Sequence, residues 1–279
     1  ITPIPTTAIT MAVKSSSATD VGTTVTSGVA TGGTTNTLID TGKNFVALGI
    51  VIGDGVLNDT DVAIGVVTSI NSTTQITFIP AVAVAMTGKS YRLIRAAGVG
   101  VAVVEIHGLN ANFDEISEFV VLNGITGVAT TNTYIRSNNF HVMHIGTLTV
   151  AAGNIDLNNV GDTITYNRIS AGGNMTNQAH YTVPRGQVMF ISSWNAGSSG
   201  NKPSRTLLRA TADFHDRALI PGIFHFNDII VNATGDAQHI FQLPLKFPSM
   251  CDVKISSIGI NVGTAEVGGG WEYWTESEI

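Results

Sequence analysis

The chain has 279 residues, of which 43% are hydrophobic and only 12% charged, and its formal net charge is −6. This apolar share is enough for packed cores and argues against intrinsic disorder. The lack of any basic cluster leaves no electrostatic footprint for a nucleic-acid backbone, and no run of about 18 apolar residues is present to span a membrane as a helix.

Residues 1–20 (ITPIPTTAITMAVKSSSATD) predict an extended arm, because Pro3 and Pro5 block a helix and bias their neighbours to extended geometry. The arm is expected to dock on a neighbouring subunit, so that its removal leaves residues 98–279 folded. Residues 21–97 predict a small β-domain, a barrel or sandwich. Val25–Gly33 and Thr37–Ile39 open it, and Lys43–Leu48 forms an irregular turn. Ile64–Ile70, Gln75–Ile79 and Ser90–Ile94 then read as strands. Asp54, Asn58, Asp59 and Asp61 cluster in this unit, but their spacing is not that of an EF-hand and a solvated hairpin tip is the simpler reading. The uncharged segment Ala96–Gly100 marks the boundary. The net charge falls wholly beyond it: residues 1–97 hold five basic and five acidic side chains, and residues 98–279 hold nine and fifteen.

Residues 98–138 organise the rest. Ala102, Val104 and Ile106 alternate with Val103, Glu105 and His107, a period of two that predicts a strand with one buried face. Asn110–Asn112 makes a first turn. Asn123-Gly124 makes a second, since both residues tolerate positive φ. Three successive strands of a meander are therefore expected, with Glu118 able to pair with Arg136. Further strands follow at short spacing: Phe140–Ile145, Gly153–Leu157, Thr163–Ile169, His180–Val183, Gln187–Trp194 and Thr206–Thr211. After them come Ile223–Val231, His239–Leu243, Asp252–Ile258 and Trp271–Trp274. Pro244 and Pro248 argue for an edge or bend near Phe247. The whole predicts an all-β chain in which residues 98–279 form one larger antiparallel β-sandwich of jelly-roll type.

The phrases VVEIHGLNANFDEISEFVVLNG and TNTYIRSN, followed by AHYTVPRG (Ala179–Gly186) and HIFQLPLKFPSMCD (His239–Asp252), resemble a structural-protein family of tailed bacteriophages, abundant in marine phages. The resemblance covers about residues 98–279. It implies a virion component, a minor capsid or decoration protein, with no chemistry attached. A tail or fibre module that binds a host surface or glycan is the alternative.

No catalytic constellation emerges from the spacing. The phosphate-loop pattern fails at Gly42-Lys43, and Gly98-Val99-Gly100 lacks the third glycine of a dinucleotide fingerprint. His141 and His144, three apart, should point to opposite faces of a strand. His215 and His225, flanking a Pro-Gly turn, and the polar run Asp213–Asp216 impose no ligand geometry, so neither metal nor cofactor is expected. Glu115 and Glu118 have opposite strand parity and cannot face each other as a glycosidase pair. Trp194, Trp271, Tyr273 and Trp274 are the candidates for a surface or subunit contact. Partners are then further copies of the chain, a trimer foremost, and other virion proteins, with glycan possible and neither nucleic acid nor membrane. The single cysteine, Cys251, reads as a small buried hydrophobe. Reductant should leave the melting temperature unchanged, and a large drop in a thermal scan would reveal a Cys251 bridge between subunits.

Overall fold

The computed structural model describes residues 4–198, 203–211, 224, 226–232, 235–259 and 267–278. Among these the chain is all-β, without a helix, and its strands pair into five antiparallel sheets.

The first strand is β1 (Ile9–Ser15). Then come β2 (Gly22–Val29), β3 (Gly32–Gly33), β4 (Thr37–Ile39), β5 (Gly55–Asn58), β6 (Ala63–Ile70), β7 (Gln75–Ile79) and β8 (Ser90–Ala96). These seven make one sheet in the order β2-β8-β5-β6-β7-β4-β3. Its edge strands, β2 and β3, are joined by Ala30 and Thr31 alone, so the sheet curls until its edges approach, yet no ladder closes it into a barrel. Leu38, Phe45, Val56, Ile76, Phe78 and Leu93 fill the concave side. The acidic cluster flanks β5 and is matched by cations on β8 and by Lys89 just before it. Arg95 reaches Asp54, Arg92 reaches Asp59 and Lys89 reaches Asp61, at 2.6–2.8 Å.

The central unit contains β9 (Val101–Leu109), β10 (Glu115–Val121), β11 (Val128–Tyr134), β12 (Arg136–Ile145), β13 (Ile155–Asn159) and β14 (Thr165–Ile169). A three-stranded sheet, β10-β9-β12, packs on a four-stranded one, β11-β1-β13-β14. Met11, Val13, Val104, Ile106, Phe140 and Leu157 form the core between them, a β-sandwich. The C-terminal unit contains β15 (His180–Thr182), β16 (Gln187–Ser198), β17 (Ser204–Ala210), β18 (Phe226–Asn232), β19 (Gly235–Phe247), β20 (Asp252–Gly259) and β21 (Val267–Ser277). The sheets β15-β20-β17-β18 and β19-β16-β21 enclose Met189, Ile191, Trp194, Leu208, Phe247 and Val253. Among the described residues, the two pairs of sheets formed mainly by residues 98–279 each enclose their own core, where one sandwich was expected.

Three sequence expectations change for physical reasons. The N-terminal arm is not free to reach a neighbouring subunit. Its β1 pairs with β11 on one side and β13 on the other, and buries Met11 and Val13 in the central core. Removing residues 1–20 would strip a strand from that sandwich. Asp20 fixes the arm's end: its carboxylate accepts the Val101 amide at 2.8 Å, the Ala152 and Gly153 amides at 3.1 and 2.9 Å, and the Ser15 hydroxyl at 2.6 Å.

The meander is replaced by the order β10-β9-β12. Gly124 does take a positive φ of 59°, but the turn delivers the chain to the opposite sheet, where β11 meets β1. The Ser15 amide donates to the Gly124 carbonyl and the Gly124 amide to Asp20. The docked N-terminal strand thus outcompetes β10 as the partner of β11. In addition, β9 is buried on both faces as far as Ile106. Ala102 and Val103 pack with Leu57, Ile94 and Phe119, which joins the first sheet to the central unit.

Arg136 does not meet Glu118. Glu118 accepts the Thr131 and Asn132 amides at 2.8 and 3.0 Å and the Tyr134 hydroxyl at 3.0 Å. Arg136 is 1% exposed and forks onto Asp252 of β20, Nε to Oδ1 at 2.7 Å and Nη2 to Oδ2 at 2.9 Å. Its Nη1 donates to the Pro5 and Ile135 carbonyls, and the Thr182 hydroxyl donates to Asp252 Oδ1 at 2.5 Å. Burial alone would push the Asp252 carboxyl up. The nearby His180 and the Arg136 fork outweigh it and hold the group well below the usual carboxylate range. Because the folded value is depressed, the stabilisation is present above 3.8 and is lost as pH falls below that. Arg136→Ala should cost about 3–5 kcal/mol in urea unfolding at neutral pH, since it leaves a buried carboxylate alone. The gap between wild type and Asp252→Asn should shrink on acidification.

Candidate functional site

A groove of about 1450 Å³ lies between the central and C-terminal units. One wall comes from the ends of β9 and β10 with Asn138 and Asn139. The segment Met175–Tyr181 lines its length, and β20 and β21 supply Ser256, Ser257, Trp271 and Tyr273. The lining mixes amide and hydroxyl side chains with glycines, aliphatic groups and a few aromatic rings. Glu115 is the only carboxylate among the described lining residues.

Behind this wall lies a cluster that strand spacing assembles. The period of two puts Glu105 and His107 on the same face of β9, and the register places His141 of β12 directly opposite Glu105. Glu105 is buried. Its Oε1 lies 2.9 Å from His107 Nε2 and its Oε2 3.2 Å from His141 Nε2. The two imidazoles stack with centroids 5.2 Å apart and planes at 12°. His107 is half-exposed and lines the groove. Burial by itself raises the Glu105 carboxyl, but the hydrogen bonds from His107 and His141 prevail and hold it at about 2. The bond to Glu105 in turn raises His107.

The expectation that His141 and His144 face opposite ways fails because β12 carries a bulge. The register shifts between Val142 and His144, so His141 pairs with Glu105 and His144 with Val103, on one face. His144 is buried against Gly55 of the first sheet, and burial lowers its pKa. His215, His225 and the run Asp213–Asp216 lie outside the described residues. Glu105 and His107 were not apparent as partners of His141. The one signal in the sequence is the Glu-x-His spacing on a strand; the third member depends on which strand returns beside β9.

The four aromatic candidates separate. Trp194 is 1% exposed and is a core residue, not a surface contact; its indole Nε1 donates to Asp228 at 2.8 Å. Trp271 packs partly against the same core and lines the groove. Tyr273 and Trp274 are exposed. Tyr273 leans on Tyr181, and Trp274 stacks on Phe190 at 5.2 Å. Cys251 is buried, and burial pushes its thiol up to about 12, which leaves it no nucleophilic character at neutral pH.

Searches of family models, curated proteins and solved structures find no match to this chain. The fold class is therefore carried by the strands themselves. Trp194→Ala should lower the unfolding free energy by about 3–5 kcal/mol, whereas Trp274→Ala should stay within about 1 kcal/mol. Denaturant melts of the two variants side by side check the assignment.

Proposed function

We propose that the chain is a non-enzymatic structural component of a bacteriophage particle, a minor capsid or decoration protein that assembles with further copies of itself. The phage assignment rests on the sequence resemblance. The assembly reading is carried by one observation, the outer sheet of the C-terminal unit. In the order β19-β16-β21, the flanking strands of 13 and 11 residues each have an edge with no ladder partner among the described residues. A long unpaired edge is a template for another strand. The two edges come with exposed apolar side chains: Leu243, 81% exposed, and Ile240, 68%, on β19, and Tyr273 and Trp274 on β21. Few charges guard the surface against association. Symmetric closure is the ordinary outcome for such edges, and a trimer is the state we favour. Among the described lining residues Glu115 is the one carboxylate, so they do not supply the facing pair that polysaccharide cleavage uses.

A second reading, a module that binds host glycans, is favoured by the same groove. Trp271 and Tyr273 beside Asn138, Asn139 and Gln178 offer stacking faces next to amides.

Antibody labelling of purified particles tests the role: label on the head supports it, and label confined to a tail or fibre tip transfers it to the second reading. Sedimentation of the full chain should give a salt-insensitive oligomer that Leu243→Asp or Trp274→Asp dissociates. A chain that stays monomeric at high concentration overturns the assembly reading.

A further inference from the structure

We propose that Glu105, His107 and His141 form a binding site for a divalent transition metal, zinc first, with an open coordination position reached from the groove. One carboxylate oxygen and one ring nitrogen from each imidazole all lie within 4.8 Å of one another. Zinc bonds of about 2.0–2.2 Å in tetrahedral geometry separate the ligand atoms by about 3.4 Å. Glu105 meets His107 Nε2 through Oε1 at 2.9 Å and His141 Nε2 through Oε2 at 3.2 Å, both close to that separation.

The donors are held in place before any ion arrives. Glu105 and His107 are fixed two apart on a strand buried at its neighbours, and His141 is fixed by register across the ladder. The chemistry of the set selects the ion. Two imidazoles with one carboxylate suit zinc, cobalt, nickel or copper, whereas calcium and magnesium prefer oxygen throughout.

Charge points the same way. Glu105 is 6% exposed, and no lysine or arginine among the described residues forms an ion pair with it. A buried carboxylate needs a cation. A metal ion bound between the carboxylate and the two imidazoles supplies it. Three protein ligands leave the fourth position to solvent or to a donor from a bound molecule. His107 is the member that lines the groove, so the open side is reached from there.

The test uses the full chain, stripped with a chelator and then titrated with Zn²⁺ by calorimetry and with Co²⁺ by visible absorption. One equivalent should bind, the Co²⁺ complex should show the intense bands of low-coordinate nitrogen and oxygen ligation, and Zn²⁺ should raise the melting temperature. Glu105→Gln, His107→Ala and His141→Ala should each weaken binding at least about tenfold, as loss of a ligand must if loss of its supporting shell already costs that much. His239→Ala, at an exposed histidine in the C-terminal unit, should leave it unchanged. His107 is half-exposed, so its replacement spares the core and keeps the test valid if the Glu105 variant fails to fold. No binding, octahedral-type weak Co²⁺ bands, or an affinity unaltered in His107→Ala would overturn the site.

Discussion

The paired charges of Arg136 and Asp252 hold the two halves of the molecule beyond residue 98 in one arrangement. Arg136 begins β12 in the central sandwich, and Asp252 begins β20 in the C-terminal one. Both are buried, so their attraction is poorly screened, but each lost its hydration on folding. An ion pair of this kind contributes little net stability compared with a well-packed apolar contact. Its value is positional. Four guanidinium donor contacts run to fixed acceptors, two on Asp252 and one each on the carbonyls of Pro5 and Ile135. Thr182 and the Thr211 hydroxyl complete the shell, the latter accepting the Asp252 amide at 2.8 Å. A displacement of either sandwich would leave several of these groups buried without partners. The groove lies directly beside this junction and exists because the junction sets the distance between its walls.

Asp20 plays the corresponding role on the N-terminal side. One carboxylate gathers backbone amides from β9 and from the Ala152–Gly153 turn, and so fastens the chain where it leaves β1 for the first sheet. The crossing explains why β9 is apolar on both faces. The strand is sandwiched between its own core and the first sheet, and only beyond Ile106 does one face emerge at the groove. Glu105 sits at that transition, deep enough to be dry and near enough to the rim for His107 to reach solvent.

Much of this was legible in the residues. The runs Ile64–Ile70, Gln75–Ile79, Ser90–Ile94 and Val101–His107 lie in strands within a residue or two of their bounds, because alternation and turn residues are local signals. Pro244 does mark a bend: between Ile191 and Ser193 of β16, the edge strand β19 accommodates Phe241–Pro244 as an outward excursion that exposes Leu243. Pairing was not legible, since it is a competition between distant segments. Nothing within Gly98–Asn138 announces that β11 will prefer β1, some 120 residues away by sequence, to the adjacent β10. Nor does Cys251-Asp252 announce that its carboxylate will claim Arg136, which local parity had offered to Glu118.

The histidine cluster shows how one such pairing decision becomes chemistry. Parity alone put Glu105 and His107 on a common face and His141 and His144 on opposite ones. The first relation survives because β9 is regular there; the second fails because a single bulged position in β12 reverses the parity after Val142. In a meander β11 would have lain on the far side of β10, and the other edge of β9 would still have been open to β12. What brings His141 to Glu105 is therefore the β9–β12 ladder itself, one strand supplying Glu105 and His107 and its partner supplying His141.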